Sequence, residues 1–426
     1  MQSNYRKLGP LIKLVNNRDR DETVTLLLGV SIQKKFIPSI ANTIGTDMST
    51  YKIIERNQFA YGPVTSRNGE RISIALLEQY DEAIVSQAYT CFTVKDEAEL
   101  LPQYLMMWFR RPEFDRYARF MSHGSAREIF SWDELCNTEL PVPSTAKQRE
   151  IVAEYHTIQN RIALNNQLIQ TLETTAQAIY KQWFVEFEFP NEAGQPYRSS
   201  GGEMVDSELG EIPKGWSVSK IKDFGKTITG KTPSSESPDD FGSSVPFVTP
   251  GDFKNYKKFA IDAERNLSGA GRDKLKSKVL KPGSVIVTCI GSDMGKVAVA
   301  SQSCITNQQM NSIEVGKEHY TDYLYYYLVG SYEQLRSIAM GGSTMPMLSK
   351  SEFDKISIIK PAELVMQKFA LLLKPFNTFN LACAKMQAPS LSLRDLLLSK
   401  LATIETMPSA PKPAASEPAQ LTLSFA

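Results

Sequence analysis

Between residues 151 and 183 the residues Ile151, Tyr155, Ile158, Ile162, Asn165, Ile169, Leu172, Ala176, Ile179 and Trp183 recur at alternating spacings of four and three. That is a heptad seam, and it predicts one long helix with a single stripe to cover. Glu154, Gln159, Asn160, Arg161, Gln167, Gln170, Glu173, Gln177 and Lys181 fall between as a polar exterior. Asn165 is the polar member of the seam, a placement that fixes register at some expense of stability. A second seam in the same phase runs through Val365, Phe369, Leu372, Phe376, Phe379, Cys383, Met386, Ser390, Leu393 and Leu397. Pro375 and Pro389 lie within it, and each removes a backbone donor, so two or three helical pieces are expected there rather than one rod.

Each seam follows a similar succession of elements. Phe59-Ala60-Tyr61, the loop 66–69 and Ile72-Ser73-Ile74-Ala75 correspond to Val285-Ile286-Val287, the loop 291–295 and Val297-Ala298-Val299-Ala300. Both read as strand, glycine-containing turn, strand. Next come Ser86 to Val94 or Thr306 to Val315, then a helical stretch, Leu101 to Phe120 or Tyr320 to Met340. Gly124-Ser125 or Gly342-Ser343 follows, then a segment ending at Pro143 or Pro361, and Gln148 or Gln367 stands at the helix entrance. A period of about half the chain points to duplication. Pro190 to Lys214, rich in Gly, Pro, Ser and Glu, reads as a linker, and the proline-rich stretch after Thr406 as disordered, with Leu421 to Phe425 a segment able to dock.

Composition changes this picture little. The 426 residues are 42% hydrophobic and 22% charged, as in ordinary soluble proteins. No apolar run reaches the roughly 20 residues that span a bilayer, the first seven residues open no signal peptide, and a cytoplasmic protein is the expectation. Five scattered cysteines and three isolated histidines suggest neither disulfides nor a zinc site. The net charge of +1 does not announce a nucleic-acid binder, but residues 251–281 and the first seventy residues are locally basic. Either stretch alone also fits a solvated surface.

Catalytic signatures fail on context. Gly225 to Thr232 spells the P-loop pattern, yet Pro233 to Asp240 beyond it has no apolar periodicity to open a helix on phosphates. Gly291, Gly295, Gly341 and Gly342 read as turn residues. The sequence carries no Gly-x-Ser-x-Gly, His-Glu-x-x-His, Asn-Pro-Pro-Tyr or Asp-Pro-Pro-Tyr motif, and no cofactor-binding or metal-ligating residues are assigned to the chain. No catalysis by this chain is expected.

Two globular regions, each leading into a related heptad helix, resemble the specificity subunit of type I restriction-modification enzymes. Residues that carry the resemblance are Leu28 to Ser31, Ser66 to Arg71, Lys147 to Ile151, Val245 to Asp252 and Lys281 to Gly283. The most specific are Leu209-Gly-Glu-Ile-Pro-Lys-Gly-Trp216 followed by Thr229-Gly-Lys-Thr-Pro-Ser234. The resemblance implies a mixed α+β architecture with a pseudo-two-fold internal repeat. Two α/β target recognition domains, 1–146 and 213–362, are separated by two long antiparallel coiled-coil helices, 147–189 and 363–405, with a linker at 190–212 and a disordered tail at 406–426. It further implies double-stranded DNA with a bipartite, asymmetric target as ligand. The implied partners are two methyltransferase subunits docking on the helices and two motor/endonuclease subunits, with S-adenosylmethionine, ATP and Mg in those partners and none in this chain.

The dimensions agree. About 33 residues of helix at roughly 1.5 Å each span about 50 Å, and successive major grooves recur at roughly 34 Å. The groove-contact candidates are Lys34, Lys35, Ser66, Arg67 and Asn68 in the first half, and Thr229, Lys231, Thr232, Asp252, Lys254, Ser292 and Asp293 in the second. Ser125 and Arg127, with Ser343 and Thr344, are further candidates before the long helices. Arg67 beside Asn68 stands out, since Arg suits guanine and Asn adenine. Turn formation or a solvated charge fits each of these residues as well as base contact does. A coiled-coil scaffold with two globular protein-binding domains is the alternative, motivated by the near-neutral charge; it predicts no affinity for DNA at low salt.

Overall fold

The computed structural model describes residues 5–39, 45–66, 68–124, 127–234, 237–291, 293–340 and 347–403. It divides into two compact units, one running up to Asn160 and resuming at Ser390, the other Arg161–Pro389. Both are mixed α/β, and they repeat one strand order.

In the first unit Tyr5–Lys7 pairs antiparallel with Glu139–Pro141, closing the domain beside the long helix. A four-stranded sheet runs Ile12–Val15, Thr90–Val94, Phe59–Tyr61, Ile74–Leu76. In the second unit Ser217–Lys220 pairs with Ser357–Lys360, and a five-stranded sheet runs Gly225–Thr229, Met310–Val315, Val285–Thr288, Val297–Ala300 in the same order, with Phe259–Ala260 added at the edge. Each unit also has a parallel strand pair, Leu27–Val30 with Glu82–Val85 and Val245–Val248 with Ile305–Thr306. The predicted strand-turn-strand elements are the antiparallel pairs Phe59–Tyr61/Ile74–Leu76 and Val285–Thr288/Val297–Ala300.

Alternation along these central strands supplies two cores at once, because successive side chains leave opposite faces. Phe59 and Tyr61 pack with the helices while Ala60 enters a second cluster with Leu28 and Val85. Val285 and Val287 likewise meet Tyr323 and Leu324, and Ile286 meets Ala298 and Leu280. The helical stretches are pairs, Pro102–Phe109 with Pro112–Phe120 and Tyr320–Gly330 with Tyr332–Ala339. A short capped helix follows each pair: Ser131 accepts the Glu134 N–H before Trp132–Asn137, and Ser349 forms a capping box with Glu352 before Lys350–Lys355.

The central helix is Thr145–Phe184, and every residue of its predicted seam is buried or half-buried. The C-terminal helix corrects two expectations. It is one unbroken helix, Glu363–Lys400, with Pro375 and Pro389 inside it. Both prolines lie on the exposed face, where water can take the carbonyls left without donors, and packing on the opposite face holds the rest. Its seam is also shifted at alternate positions. Met366, Leu373 and Asn380 are buried and Gln387 half-buried, while Leu372, Phe379, Met386 and Leu393 are exposed; Val365, Phe369, Phe376, Cys383, Ser390 and Leu397 stay on the inner face as expected. The two seams therefore differ in phase.

Within the second unit the helices run antiparallel, with Gln387 donating to Asn166 at 3.3 Å and the Phe369 ring 5.8 Å from Trp183. In the first unit Ile151 and Tyr155 share a core with Leu398 and Leu401, and the Tyr5 hydroxyl donates to the Ala402 carbonyl at 2.8 Å. The expected linker is a folded strap. Phe187 and Phe189 join the second core, Phe189 stacks on Tyr197 and Trp216, and Met204–Val205 pairs with Ile212–Pro213. The tail 406–426 with its segment Leu421 to Phe425, and the glycines 341 and 342, lie outside the described residues. Among those described, no helix is long and apolar enough to cross a membrane.

The first turn of each long helix is tied to the start of the first domain helix. Gln148, 0% exposed, accepts the Leu101 N–H at 2.8 Å and donates to the Glu99 and Pro143 carbonyls at 2.8 and 2.9 Å. Gln367 is exposed instead. Its place is taken by Glu363, whose carboxylate meets Lys317 at 2.7 Å, His319 at 2.6 Å and the Tyr320 hydroxyl at 3.0 Å.

Candidate nucleic-acid interface

In the first unit three loops are stitched together. The turn at 31–35 joins Leu27–Val30 to Phe36–Pro38, and Lys34 within it has a left-handed backbone, φ 60°. Lys34 is 5% exposed and pairs with Asp115 at 2.8 Å, also donating to the Phe109 carbonyl. Asp115 accepts the Ile72 N–H at 3.1 Å, so one carboxylate anchors both this turn and the loop 62–73. That loop is bound in turn to the segment 123–130, where Val64 bridges Ile129 and Thr65 donates its N–H and hydroxyl to the Glu128 carbonyl at 2.9 and 3.2 Å.

Lys34 is thereby removed from the groove contacts. Burial pulls its ammonium below the ordinary lysine range, with Asp115 offsetting part of the effect. Its role is to hold the turn that presents Lys35. The stitching brings exposed Lys35, Ser66 and Arg127 onto linked loops, together with exposed Arg71, which the sequence reading did not select. Asn68 is half-buried, and its amide donates to the Val64 carbonyl at 3.3 Å, closing its own turn. Arg67 and Ser125 lie outside the described residues.

The second unit builds a comparable edge. Gly225–Thr229, the first five letters of the P-loop pattern, is a strand, and a Cβ on Gly230 would come within 2.2 Å of the Thr306 and Asn307 carbonyls. These glycines serve close backbone packing. Beyond the strand, Lys231 donates its N–H to the Thr306 carbonyl at 2.9 Å, and the Thr232 hydroxyl reaches Gln308 at 2.5 Å. The Thr229 hydroxyl donates to Asn311 at 2.7 Å, and Asn311 donates to the Leu348 carbonyl at 3.1 Å. Ile290 bridges Met347 as Val64 bridges Ile129 in the first unit. Leu348 in turn donates its N–H to the Cys289 carbonyl at 2.9 Å. Thr229 is thereby joined through Asn311 to the start of the turn in which Asp293 pairs with Lys296 at 2.7 Å, while Lys231 and Thr232 are tied to the segment 306–308.

Asp252 is a second correction. It is 3% exposed and accepts the Thr249 N–H and hydroxyl at 2.7 and 2.8 Å and the Glu264 N–H at 2.8 Å. All of that holds its own loop and leaves no surface for a base. Lys254, two residues on, is exposed. Lys257 and Lys296, also exposed, line a cavity of about 280 Å³ with Phe253, Tyr256 and Tyr332. The basic run 254–258 held the signal for Lys257, since only a burial pattern tells it from Lys258. Ser292, Ser343 and Thr344 lie outside the described residues.

Exposed cations beside hydroxyls and amides on mutually braced loops suit phosphate and base-edge contact. Among the described residues no group of three or more His, Cys, Asp or Glu side chains is arranged to hold a metal ion.

Comparison with known proteins converges on one family. The model of the type I restriction modification DNA specificity domain matches twice, over residues 16–174 and 213–383. The chain is 25% identical over 428 residues to the specificity subunit of the type I restriction enzyme HindI of Haemophilus influenzae, covering 88% of this chain and 92% of that one. It is 33% identical over 178 residues, 41% of each chain, to the MjaIX specificity subunit of Methanocaldococcus jannaschii. The fold is shared with the type I restriction-modification S subunit of M. genitalium, at a TM-score of 0.62 and 13% identity over 94% of this chain and 96% of that one. With two matched domains on two structurally repeated units, the chain belongs to the family of type I restriction-modification DNA specificity subunits.

Proposed function

We propose that this chain reads a bipartite, asymmetric DNA target, each unit taking one half, and directs adenine methylation and restriction by partner subunits while performing no catalysis itself. The observation that carries this is one strand order built twice with different surface loops. A shared scaffold with unlike reading edges is what two unlike half-sites require.

The C-terminal helix supports the partner reading. Leu364, Leu371, Leu372 and Phe379 are large, apolar and exposed, and both Leu364 to Leu371 and Leu372 to Phe379 step by seven, the spacing of a heptad stripe on its outer face. Two methyltransferase subunits docking on the helices cover such a stripe, bringing S-adenosylmethionine. Two motor/endonuclease subunits bring ATP and Mg, and the assembly works in the cytoplasm. Sequencing of methylated adenines in host DNA, with and without this chain, tests the proposal: one split motif should vanish when the chain is deleted. An unchanged set of motifs, or binding of all sequences equally by the reconstituted complex, contradicts it.

A further inference from the structure

Lys258 is the one lysine of the run 254–258 that is buried, 1% exposed, in the second unit. Its ammonium lies 2.7 Å from Asp322 and donates to the Tyr326 hydroxyl at 3.2 Å, over the rings of Tyr325 and Tyr326 at 4.9 and 4.5 Å. The same Asp322 accepts from Asn377 at 3.0 Å on each oxygen. The Tyr326 hydroxyl donates a hydrogen bond to the Glu173 carboxylate at 3.3 Å. Four segments meet in this cluster: the basic loop, the helix Tyr320–Gly330, the central helix through Glu173 and the C-terminal helix through Asn377.

Such a cluster is a poor device for stability. Desolvating an ammonium and two carboxylates opposes folding, and apolar replacements of buried pairs are often as stable or more so. One oxygen of Glu173 is buried with no partner, so the network is also incompletely satisfied. Its hydrogen bonds supply direction, which apolar contact does not, and they aim at the base of the loop that displays Lys254 and Lys257.

We infer that Lys258 and Asp322 are positioning residues for DNA reading by the second unit: their sealed ion pair fixes the loop bearing Lys254 and Lys257 to both long helices. The inference rests on the proposed reading of a split DNA target. The loop meets the sheet by the short parallel pairing of Phe259 and Ala260 with Val299 and Ala300, by the Val299 N–H donating to the Lys258 carbonyl at 2.8 Å, and by Phe253, which packs in one cluster with Ile286 and Ala298. Those contacts hold the loop to its own sheet; among them and the ion pair, it is the ion pair that ties the loop to the long helices, through Asn377 and Tyr326.

The test uses the full chain expressed with its methyltransferase partner. The double variant Lys258→Met, Asp322→Asn keeps the aliphatic stem and the amide partner for Asn377 but removes both charges. Methylated adenines are mapped across the genome, with melting and co-purification as checks on folding and assembly. The expected result is a motif intact in one half and at least tenfold less selective in the other, or joined by an altered spacer. An unchanged motif, or equal loss at both halves in an assembled complex, overturns the inference. Should the double variant not fold, Asn377→Leu, which unties Asp322 from the C-terminal helix and leaves the ion pair in place, is read the same way, with a smaller loss in one half. Absence of a split motif with the unaltered chain defeats the DNA reading itself, a different outcome from any of these.

Discussion

The two units secure their long helices at the same place by opposite chemistry. Gln148 is a neutral amide sealed from water, bonded to one N–H and two carbonyls. Glu363 is a partly exposed carboxylate gathering Lys317, His319 and Tyr320. The geometric task is conserved across the repeat while the residue, its sequence position and its charge are not. A buried amide holds by the penalty of leaving its partners orphaned; an exposed carboxylate holds by attraction that water screens.

The largest expected effect follows from that contrast. Gln148→Leu strands the Leu101 N–H and the Glu99 and Pro143 carbonyls, and should cost about 4 kcal/mol at any pH between 5 and 9. Denaturant unfolding of the full chain measures it, and a loss under about 1 kcal/mol refutes the sealed-amide account.

Next comes the reading edge of the first unit. Lys34→Met leaves the Asp115 carboxylate without its cation and should cost about 3 kcal/mol. Lys35→Ala, one residue away, should leave stability within about 0.5 kcal/mol and lower the slope of log affinity against log salt by about 0.9 if Lys35 neutralises a phosphate. Equal melting temperatures for the two variants contradict the burial argument.

Smaller still is the outer stripe of the C-terminal helix. Phe379→Asp should not destabilise the chain, since the ring is exposed, but should weaken copurification with the methyltransferase subunit by some thirtyfold, about 2 kcal/mol.

The smallest effect has the most particular pH signature. The bond from Lys317 foremost, aided by Tyr320 and His319 and opposed by desolvation, holds the Glu363 carboxyl down at about 2. A depressed carboxyl contributes stability that is fully present above its unfolded value, roughly 4.3, and is lost as pH falls towards 2. Glu363→Gln should therefore melt lower than the parent by a constant margin above about pH 5, worth less than about 1 kcal/mol. That margin should close between pH 4.5 and 2. A margin that does not vary with pH places the tie elsewhere.

Much of the scaffold was legible because its signals are local. The strand-turn-strand repeats lie within a few residues of one another, and the seam through Ile151 and Trp183 repeats without interruption. The second seam misled because large apolar residues at 372, 379 and 386 face outward while Asn380 is buried and Gln387 half-buried. Apolar spacing chooses a stripe without saying whether it faces the core or a partner. The strap misled for the opposite reason: residues 190–214 are rich in Gly and Ser, and the rings that decide their packing, Phe187, Phe189 and Trp216, lie just outside them. At the reading edges, loop membership was visible but burial was not. Lys34 looks like Lys35 until Asp115, far along the chain, is brought beside it, and Asp252 looks like a ligand until Thr249 and Glu264 use up its oxygens.

Tyr5 bonds Ala402, and Leu398 and Leu401 complete the core that begins at Leu8. On the ribosome this inverts the usual sequence of events. Synthesis runs at roughly 5–20 residues per second, so the first unit emerges early yet waits, its apolar face incomplete, until residues 398–402 have followed. The second unit, contiguous in sequence, can close while that wait continues. Newly made chains thus pass through a stage in which the second unit can be closed while the first still lacks one helical turn of its core.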